Sequence, residues 1–406
     1  MRRNLLAGLA ALAAALSAVL TFAVPAATAA SVAAPASAST LLLQFNGVSC
    51  VSAKFCAGVG AQGDSAHPAK GNVPLAMIWT GTRWRKTAVP LSKNWSEGQL
   101  DSVSCRSAAY CVATGEEGGG ADTPIAETWN GRAWTVAKLP RPDTGAYFPG
   151  IAVSCASVRR CVATGANVTK SRAGRPFIDT LSGTKWATRS VPLPSGTKAA
   201  GLGAVDCVST SYCVLAGVYS AKHLAVLFES WNGKTFKVLT AASPAGSFFD
   251  VTGLSCVSSM DCVAVGQIIR SGLFSAGSVT AFAERWNGKA WSVTSVFGPK
   301  GPTNPELSAV SCTSPTRCVT VGLTTTNGTE QTSHALAAAY NGKIWTPASV
   351  PAPAGGGTSA FSTVSCLSAS YCVAGGEGGG PGGLLFSSAA FTGFWNGKTW
   401  TEVPAA

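Results

Sequence analysis

The chain is short of charge, and shorter still of the residues that carry acid–base and metal chemistry. Of its 406 residues only 12% are charged, 18 are acidic and three are histidine. His67, His223 and His334 stand far apart in sequence, which speaks against a histidine-built metal centre. So little charge beside 46% hydrophobic residues excludes a disordered polyelectrolyte and a charged coiled coil. No segment keeps a 3.6-residue apolar period bounded by caps, so no long helices are expected. Past the first thirty residues no apolar run approaches the roughly 18 residues that a membrane-spanning helix needs. G-x-S-x-G, P-loop and EF-hand patterns are absent. Gly58 to Gly63 spells G-x-G-x-x-G, but it leaves a strand for a loop instead of opening a helix, so the dinucleotide mechanism fails.

What is present begins with a targeting segment. Arg2 and Arg3 precede the apolar run Leu5 to Ala23, and Ala27-Thr28-Ala29 supplies a small-residue cleavage site. Residues 1–29 read as a secretory signal peptide and 30–40 as a small-residue linker. An uncleaved anchor is the alternative, and the Ala-x-Ala after Pro25 favours cleavage. The mature chain is expected to be secreted or cell-wall associated, without a transmembrane segment.

The fourteen cysteines fall into seven C-x5-C pairs: Cys50/Cys56, Cys105/Cys111, Cys155/Cys161, Cys207/Cys213, Cys256/Cys262, Cys312/Cys318 and Cys366/Cys372. The pairs recur every 49 to 56 residues, and none is left over. A Gly-ended apolar run follows each pair, as in Cys111-Val112-Ala113-Thr114-Gly115. Then comes a loop of variable length, and then a turn such as Trp129-Asn130-Gly131-Arg132-Ala133-Trp134. The turn returns at Trp231, Trp286, Tyr340 and Trp395, with degenerate copies at Trp79 and Leu181. A period near fifty residues marks a repeat array.

Each repeat reads as four short strands, A to D. A ends in Val-Ser-Cys, B is the Cys-Val-Ala-x-Gly run, C enters the Trp-Asn-Gly turn, and D leaves it. Asn-Gly between strands predicts a two-residue hairpin with positive φ at both positions, which places the flanking tryptophans diagonally on one sheet face. Seven such units predict an all-β, seven-bladed β-propeller of four-stranded antiparallel blades with one disulfide per blade. Blades are expected near 41–92, 98–142, 148–194, 201–243, 249–298, 306–352 and 360–405 within a domain of 41–406. An open solenoid is the alternative, but it needs polar end caps that the first and last repeats lack. Each cystine closes a seven-residue ring and adds about 2–2.5 kcal/mol in the chain-entropy model. Zinc is the competing use of the cysteines, and the spacing does not suit it.

This order of strand A, Gly-ended strand B and Trp-bearing turn resembles the Kelch and sialidase-type (BNR) propeller repeats. It resembles most closely secreted bacterial proteins built from Val-Ser-Cys…Cys-Val-Ala-x-Gly…Trp-Asn-Gly-x-x-Trp units, over residues 41–405. The resemblance implies a fold and not an activity. Asp-box turns carry an Asp where five turns here have Asn. No positions match the arginine trio and tyrosine nucleophile of sialidases. The copper site of Kelch-type galactose oxidase needs histidines that this chain does not supply.

Alternating strand direction puts the A–B and C–D connections on one face and the B–C and D–A connections on the other. The first face is short-looped scaffold. It carries a base after every turn: Arg83, Arg132, Lys185, Lys234, Lys289, Lys343 and Lys398. These read as turn solubilisers, or as attraction for an anionic polymer. The second face holds the long loops, Gly60 to Pro74, Gly266 to Thr280 and Gly322 to Leu336, where binding is expected. Trp95 is the one tryptophan outside the repeat pattern. Glu116 and Glu377 are the only acids five residues after a second cysteine. With Asp64, His67, Glu97 and Glu117 they are expected to share one sector of blades 7, 1 and 2, or else to be solvated loop charges. Glu127, Glu229 and Glu284 recur two residues before their Trp and read as cross-strand partners.

The expected function is a non-catalytic, monomeric propeller that binds an extracellular glycan, peptide or protein through the second face. A carbohydrate hydrolase using Glu116 and Glu377, or a structural envelope protein, is the alternative. No cofactor is implied, although paired carboxylates suit calcium. Nucleic acid is not expected, because no basic run with interleaved aromatics occurs.

Overall fold

The computed structural model describes residues 41–64, 71–93, 95–118, 123–140, 150–168, 174–242, 248–272, 275–297, 304–325, 332–353, 357–379 and 388–404. Residues 1–40, read from the sequence as signal and linker, His67, and the loop residues around it lie outside the described residues.

The fold is a seven-bladed propeller. Seven four-stranded antiparallel sheets each run in chain order, A to D, and among the described residues no strand of one blade pairs into another. Blade 2 is representative, with strands Gly98–Ser107, Tyr110–Glu117, Thr123–Trp129 and Trp134–Lys138. The A segments of all seven blades surround a central channel of ≈ 320 Å³. The core is a series of apolar layers between neighbouring blades. One such layer sets Ala57, Val59 and Ile78 of blade 1 against Leu100, Ile125 and Trp129 of blade 2.

All fourteen cysteines are bridged, one disulfide per blade, in the expected pairs. These are Cys50–Cys56, Cys105–Cys111, Cys155–Cys161, Cys207–Cys213, Cys256–Cys262, Cys312–Cys318 and Cys366–Cys372, with Cα separations of 3.9–4.0 Å. The two members of each pair sit directly opposite across strands A and B, as Cys105 does with Cys111. The strand B member is buried in every blade: Cys56, Cys111, Cys161, Cys213, Cys262, Cys318 and Cys372 are all 0–3% exposed. These sulfurs pack into the apolar layers between blades, so they belong to the core and present no surface to a ligand. The A–B hairpin is tighter than the C-x5-C spacing suggests. The strands run past the cysteines and close on two residues, such as Ala53-Lys54, because strand pairing continues beyond the bridge.

Two further local expectations are corrected. The glycine of the Cys-Val-Ala-x-Gly run does not end strand B, which in blade 2 continues to Glu117. It faces a β-bulge in strand A, between Leu100 and Ser102 in blade 2. There a Cβ on Gly115 would lie 2.1 Å from the Gln99 carbonyl oxygen, so only glycine fits. The Trp-Asn-Gly turn is also displaced by one residue. Asn130 N–H donates to the Ala133 carbonyl, which centres the turn on Gly131 and Arg132. Only the glycine takes positive φ, 93°. The Asn130 side-chain oxygen accepts from the N–H of Arg132 and Ala133 at 2.9 and 3.0 Å. The asparagine is therefore a side-chain cap and not a left-handed residue. In consequence Trp129 and Trp134 lie directly opposite, not diagonally, with ring centroids 5.4 Å apart.

The serine of Val-Ser-Cys ties each blade to the next. Ser49, Ser104, Ser154, Ser255 and Ser311 accept the backbone N–H of Cys105, Cys155, Cys207, Cys312 and Cys366, all at 3.0 Å. In blade 4 the serine is replaced by Asp206, which accepts from Cys256 N–H at 2.7 Å. The seventh bond closes the ring: Cys50 N–H donates to Ser365 Oγ at 3.0 Å, across 315 residues of sequence. Val48 N–H repeats the closure on Thr363 Oγ1 at 3.0 Å. An apolar seam of Phe45, Leu75 and Met77 against Val373 and Phe394 completes it.

Ser365→Ala should therefore destabilise the fold by about 1–3 kcal/mol, because it leaves the Cys50 amide without its acceptor. Urea unfolding of the purified protein checks this. An unchanged midpoint would show that the seam between blades 7 and 1 does not depend on the bond.

Candidate functional site

The two faces separate as their loop lengths predict. On the scaffold face the first tryptophan of the turn donates its indole N–H to the A–B loop of the same blade. Trp79 bonds Ala53 O at 3.1 Å, Trp129 bonds Ala108 O at 3.0 Å and Trp395 bonds Ala369 O at 3.1 Å. On the opposite face the connections are shorter than the loop lengths suggested. Strand B of blade 1 runs to Asp64 and strand C begins at Val73. In blade 5 a hairpin of two twelve-residue strands, Asp261–Gly272 and Ser275–Trp286, replaces most of the expected loop.

The seam between blades 1 and 2 on this face gathers three of the expected residues, Trp95, Glu97 and Glu117. The D–A connection carries the first two and is stitched to both blades. Ser92 N–H donates to the Glu117 carboxylate at 2.8 Å, and Trp95 N–H donates to Ser92 O at 3.1 Å. Gly118 N–H donates to Glu97 O at 3.1 Å, and Gly98 N–H to Asn72 O at 2.8 Å. The half-buried Trp95 ring rests on Gly118, whose φ is +120° and whose Cβ, if present, would stand 2.9 Å from the ring. The Glu97 carboxyl packs in the same way on Gly71, where a Cβ would approach within 2.5 Å. Both glycines admit a large side chain at backbone distance. Glu117 is fully buried beneath this connection.

The remaining expected residues are not brought to that seam. Glu116 lies on the strand face of Val112 and Thr114, which packs toward blade 3. It accepts from Gln99 Nε2 at 3.3 Å, and Gln99 reaches on to Asp101 at 3.0 Å. Glu377 shares the face of Val373 and Gly375, which packs against Phe45 of blade 1. Burial pushes its carboxyl up. Glu116 thus stands at the seam of blades 2 and 3, and Glu377 at the seam of blades 7 and 1. Equivalent positions in different blades repeat the same direction, so these two acids do not converge. Asp64 ends strand B of blade 1 opposite Leu41, on the strand face of Cys56, which packs toward blade 7. Among the described residues no three His, Cys, Asp or Glu side chains gather to hold a metal ion, so the calcium expectation finds no ligand set there.

The acids two residues before the turn tryptophan are not cross-strand partners. Glu127 is flanked by Ala113 and Val136, Glu229 by Leu215 and Val238, and Glu284 by Ala264 and Val293. With Asp179 they form a band of buried carboxyls at one register in blades 2 to 5. Glu284 accepts the N–H of Ala242, in the loop leaving blade 4, at 3.0 Å. The matching loop positions before Glu127, Asp179 and Glu229 are Pro90, Pro140 and Pro192, which have no N–H to give. Asp179 is served instead by the Thr188 hydroxyl at 2.6 Å. Neither oxygen of Glu127 or Glu229 has a hydrogen-bond partner in the structure. Burial pushes both carboxyls up to about 8, and the nearby Glu117 adds to the rise at Glu127. Asp101, beside the central channel, is pushed up to about 7 by burial, against the N–H of Ile151 and the amide of Gln99. The prolines are visible in the sequence, but their effect needs the pairing of loop and strand across a blade seam.

No protein-family model matches the chain, and no curated protein matches it in sequence. Solved propellers do. The GH74 xyloglucanase of Xanthomonas campestris aligns over 88% of this chain at 13% identity, with a TM-score of 0.54. This chain spans about half of that protein, 54% of its length. The α-L-arabinanase of Penicillium chrysogenum aligns over 71% of this chain and 90% of its own at 11% identity, TM-score 0.47. The fucose-specific lectin of Aleuria aurantia aligns over 77% and 99% at 11% identity, TM-score 0.46. At these identities the likeness shows the fold alone.

The buried carboxyls set a pH dependence with a definite sign. In the unfolded chain Glu127 and Glu229 return to an ordinary value of 4.5, whereas in the fold they stand at about 8. The folded state holds the extra protons between those values. Their contribution is complete below 4.5 and is lost as pH rises through about 8. Unfolding midpoints should fall from about pH 5 to about pH 8.5, and Glu127→Gln with Glu229→Gln should flatten that fall and add about 1–3 kcal/mol at the alkaline end. A slope that the double variant leaves unchanged contradicts this assignment.

Proposed function

We propose that the protein is an exported, non-catalytic propeller that binds an extracellular glycan through its B–C/D–A face, at the seam of blades 1 and 2. The arrangement of Trp95 carries this reading. Its half-buried ring is braced on Gly118, and the Glu97 carboxyl is packed on Gly71 along the same connection, which is bonded to both blades. An aromatic ring and a carboxylate carried on one connection suit a sugar, whose C–H face stacks and whose hydroxyls donate. Bracing a ring before the ligand arrives lowers the ordering cost of binding. Seven disulfides suit an oxidising compartment, as does the N-terminal targeting pattern. The xyloglucanase of this fold is named for a polysaccharide. Binding is favoured over hydrolysis because Glu116 and Glu377 face different seams, which leaves that pair unsuited to a two-carboxylate reaction.

Screening the mature chain on a glycan array identifies the ligand class. Trp95→Ala should then weaken that binding by about tenfold or more, with near-ultraviolet circular dichroism showing an intact fold. Full affinity in that variant contradicts the assignment, and capture of peptides alone contradicts the glycan reading.

A further inference from the structure

We propose that the opposite face, made by the A–B loops and C–D turns, is a second binding surface, one for an acidic polysaccharide seated in the cleft between blades 6 and 7.

Charge is the first observation. The seven turn bases are all exposed. The A–B loops add five more exposed cations, Lys54, Arg106, Arg159, Arg160 and Arg317. Against these twelve, the same loops and turns contain one acid, Asp261. Arg285, a strand residue, already engages it at 3.2 Å. Asp206, below this face, is half-buried and accepts the Cys256 N–H. One sign of charge thus dominates a whole face of the disc, which concentrates anions there.

The second observation is where this face opens. At each blade seam, the residue before the turn aromatic and the residue before the second cysteine point at the next blade. Between blades 5 and 6 these are Arg285 and Asp261. The guanidinium stands over the Tyr340 ring at 4.6 Å and donates to Pro315 O at 2.7 Å. Between blades 7 and 1 they are Phe394 and Tyr371. Phe394 lies 4.8 Å from Trp79, and the Tyr371 hydroxyl donates to Ala53 O at 3.1 Å. Between blades 6 and 7 they are Ala339 and Arg317. Alanine is too short to cross the seam, and Arg317 is exposed. A cleft of ≈ 730 Å³ results. Arg317 stands on its blade 6 side and Lys398 on its blade 7 side, while Ser368, Ser370 and Thr399 line it with hydroxyls. No carboxylate is among its lining residues.

A concave, hydroxyl-lined cleft between two cations matches a sugar that carries a negative group. A lipid surface fits less well. The exposed large apolar side chains of this face are three, Val158, Met260 and Ile344, spread over blades 3, 5 and 6. The surface is independent of the Trp95 seam, which lies on the other face.

Binding of the mature protein to polygalacturonate, to neutral dextran and to phosphatidylglycerol vesicles tests the proposal. Polygalacturonate should bind and weaken with added salt, and dextran and vesicles should not bind. Arg317→Ser with Lys398→Ser should reduce the affinity by about tenfold or more, whereas Lys185→Ser with Lys234→Ser should reduce it by no more than about twofold. Trp95→Ala should leave it unchanged, which separates this site from the other. Absence of polygalacturonate binding, or binding to vesicles alone, overturns the proposal. Equal losses in the two double variants overturn the cleft.

Discussion

The architecture depends on one repeated hydrogen bond, from the backbone N–H of a cysteine to the serine hydroxyl of the preceding blade. Each blade is a complete meander, and among the described residues no strand is exchanged at the closure. Among those residues the first and last blades share no covalent or strand-pairing lock. The closure relies on side chains: the Ser365 and Thr363 hydroxyls on Cys50 and Val48, and an apolar seam around Phe45 and Met77. The disulfide and the clasp meet at one residue. The cystine fixes the cysteine against strand B, and the same cysteine's amide is held by the neighbour. Within-blade rigidity is thereby coupled to between-blade register. Asp206 in blade 4 does the work of serine with a charge-bearing acceptor, and Ser154 Oγ donates to it at 3.1 Å.

The fold was legible wherever the sequence repeats a local geometric demand. Seven C-x5-C pairs and a recurring turn specify seven hairpinned units, and the structure has them. Legibility ended where a residue answers to a neighbouring blade. The Val-Ser-Cys serine is visible as a motif, but its acceptor role appears only when two blades abut. The strand B glycine reads as punctuation until the bulge across from it is seen. Asn130 reads as a left-handed residue until its side chain is seen capping the turn. Glu127 and Glu229 look like surface partners because acids usually are. Their burial follows from strand parity plus a packed neighbour, and their lack of donors follows from prolines in that neighbour's exit loop.

Blade geometry also separates the candidate site from the acids expected beside it. Trp95, Glu97, Glu117 and Gly118 are joined by hydrogen bonds at one seam. Glu116 and Glu377 occupy one repeat position, so each faces its own next blade, two seams apart. In a radial repeat, similarity of position implies separation in space. Convergence has to come from irregular segments, and the D–A connection holding Trp95 is such a segment. The opposite face is regular, and its cations accumulate by repetition. The cleft between blades 6 and 7 lies where two seam-filling positions hold alanine and an outward arginine.

The closed ring is tested most directly by native-state hydrogen exchange at the seven clasp amides, read residue by residue. The account predicts that Cys50 N–H exchanges as slowly as the amides of Cys105, Cys155, Cys207, Cys256, Cys312 and Cys366. A Cys50 amide that exchanges at the rate of an open strand edge while the other six stay protected would contradict it.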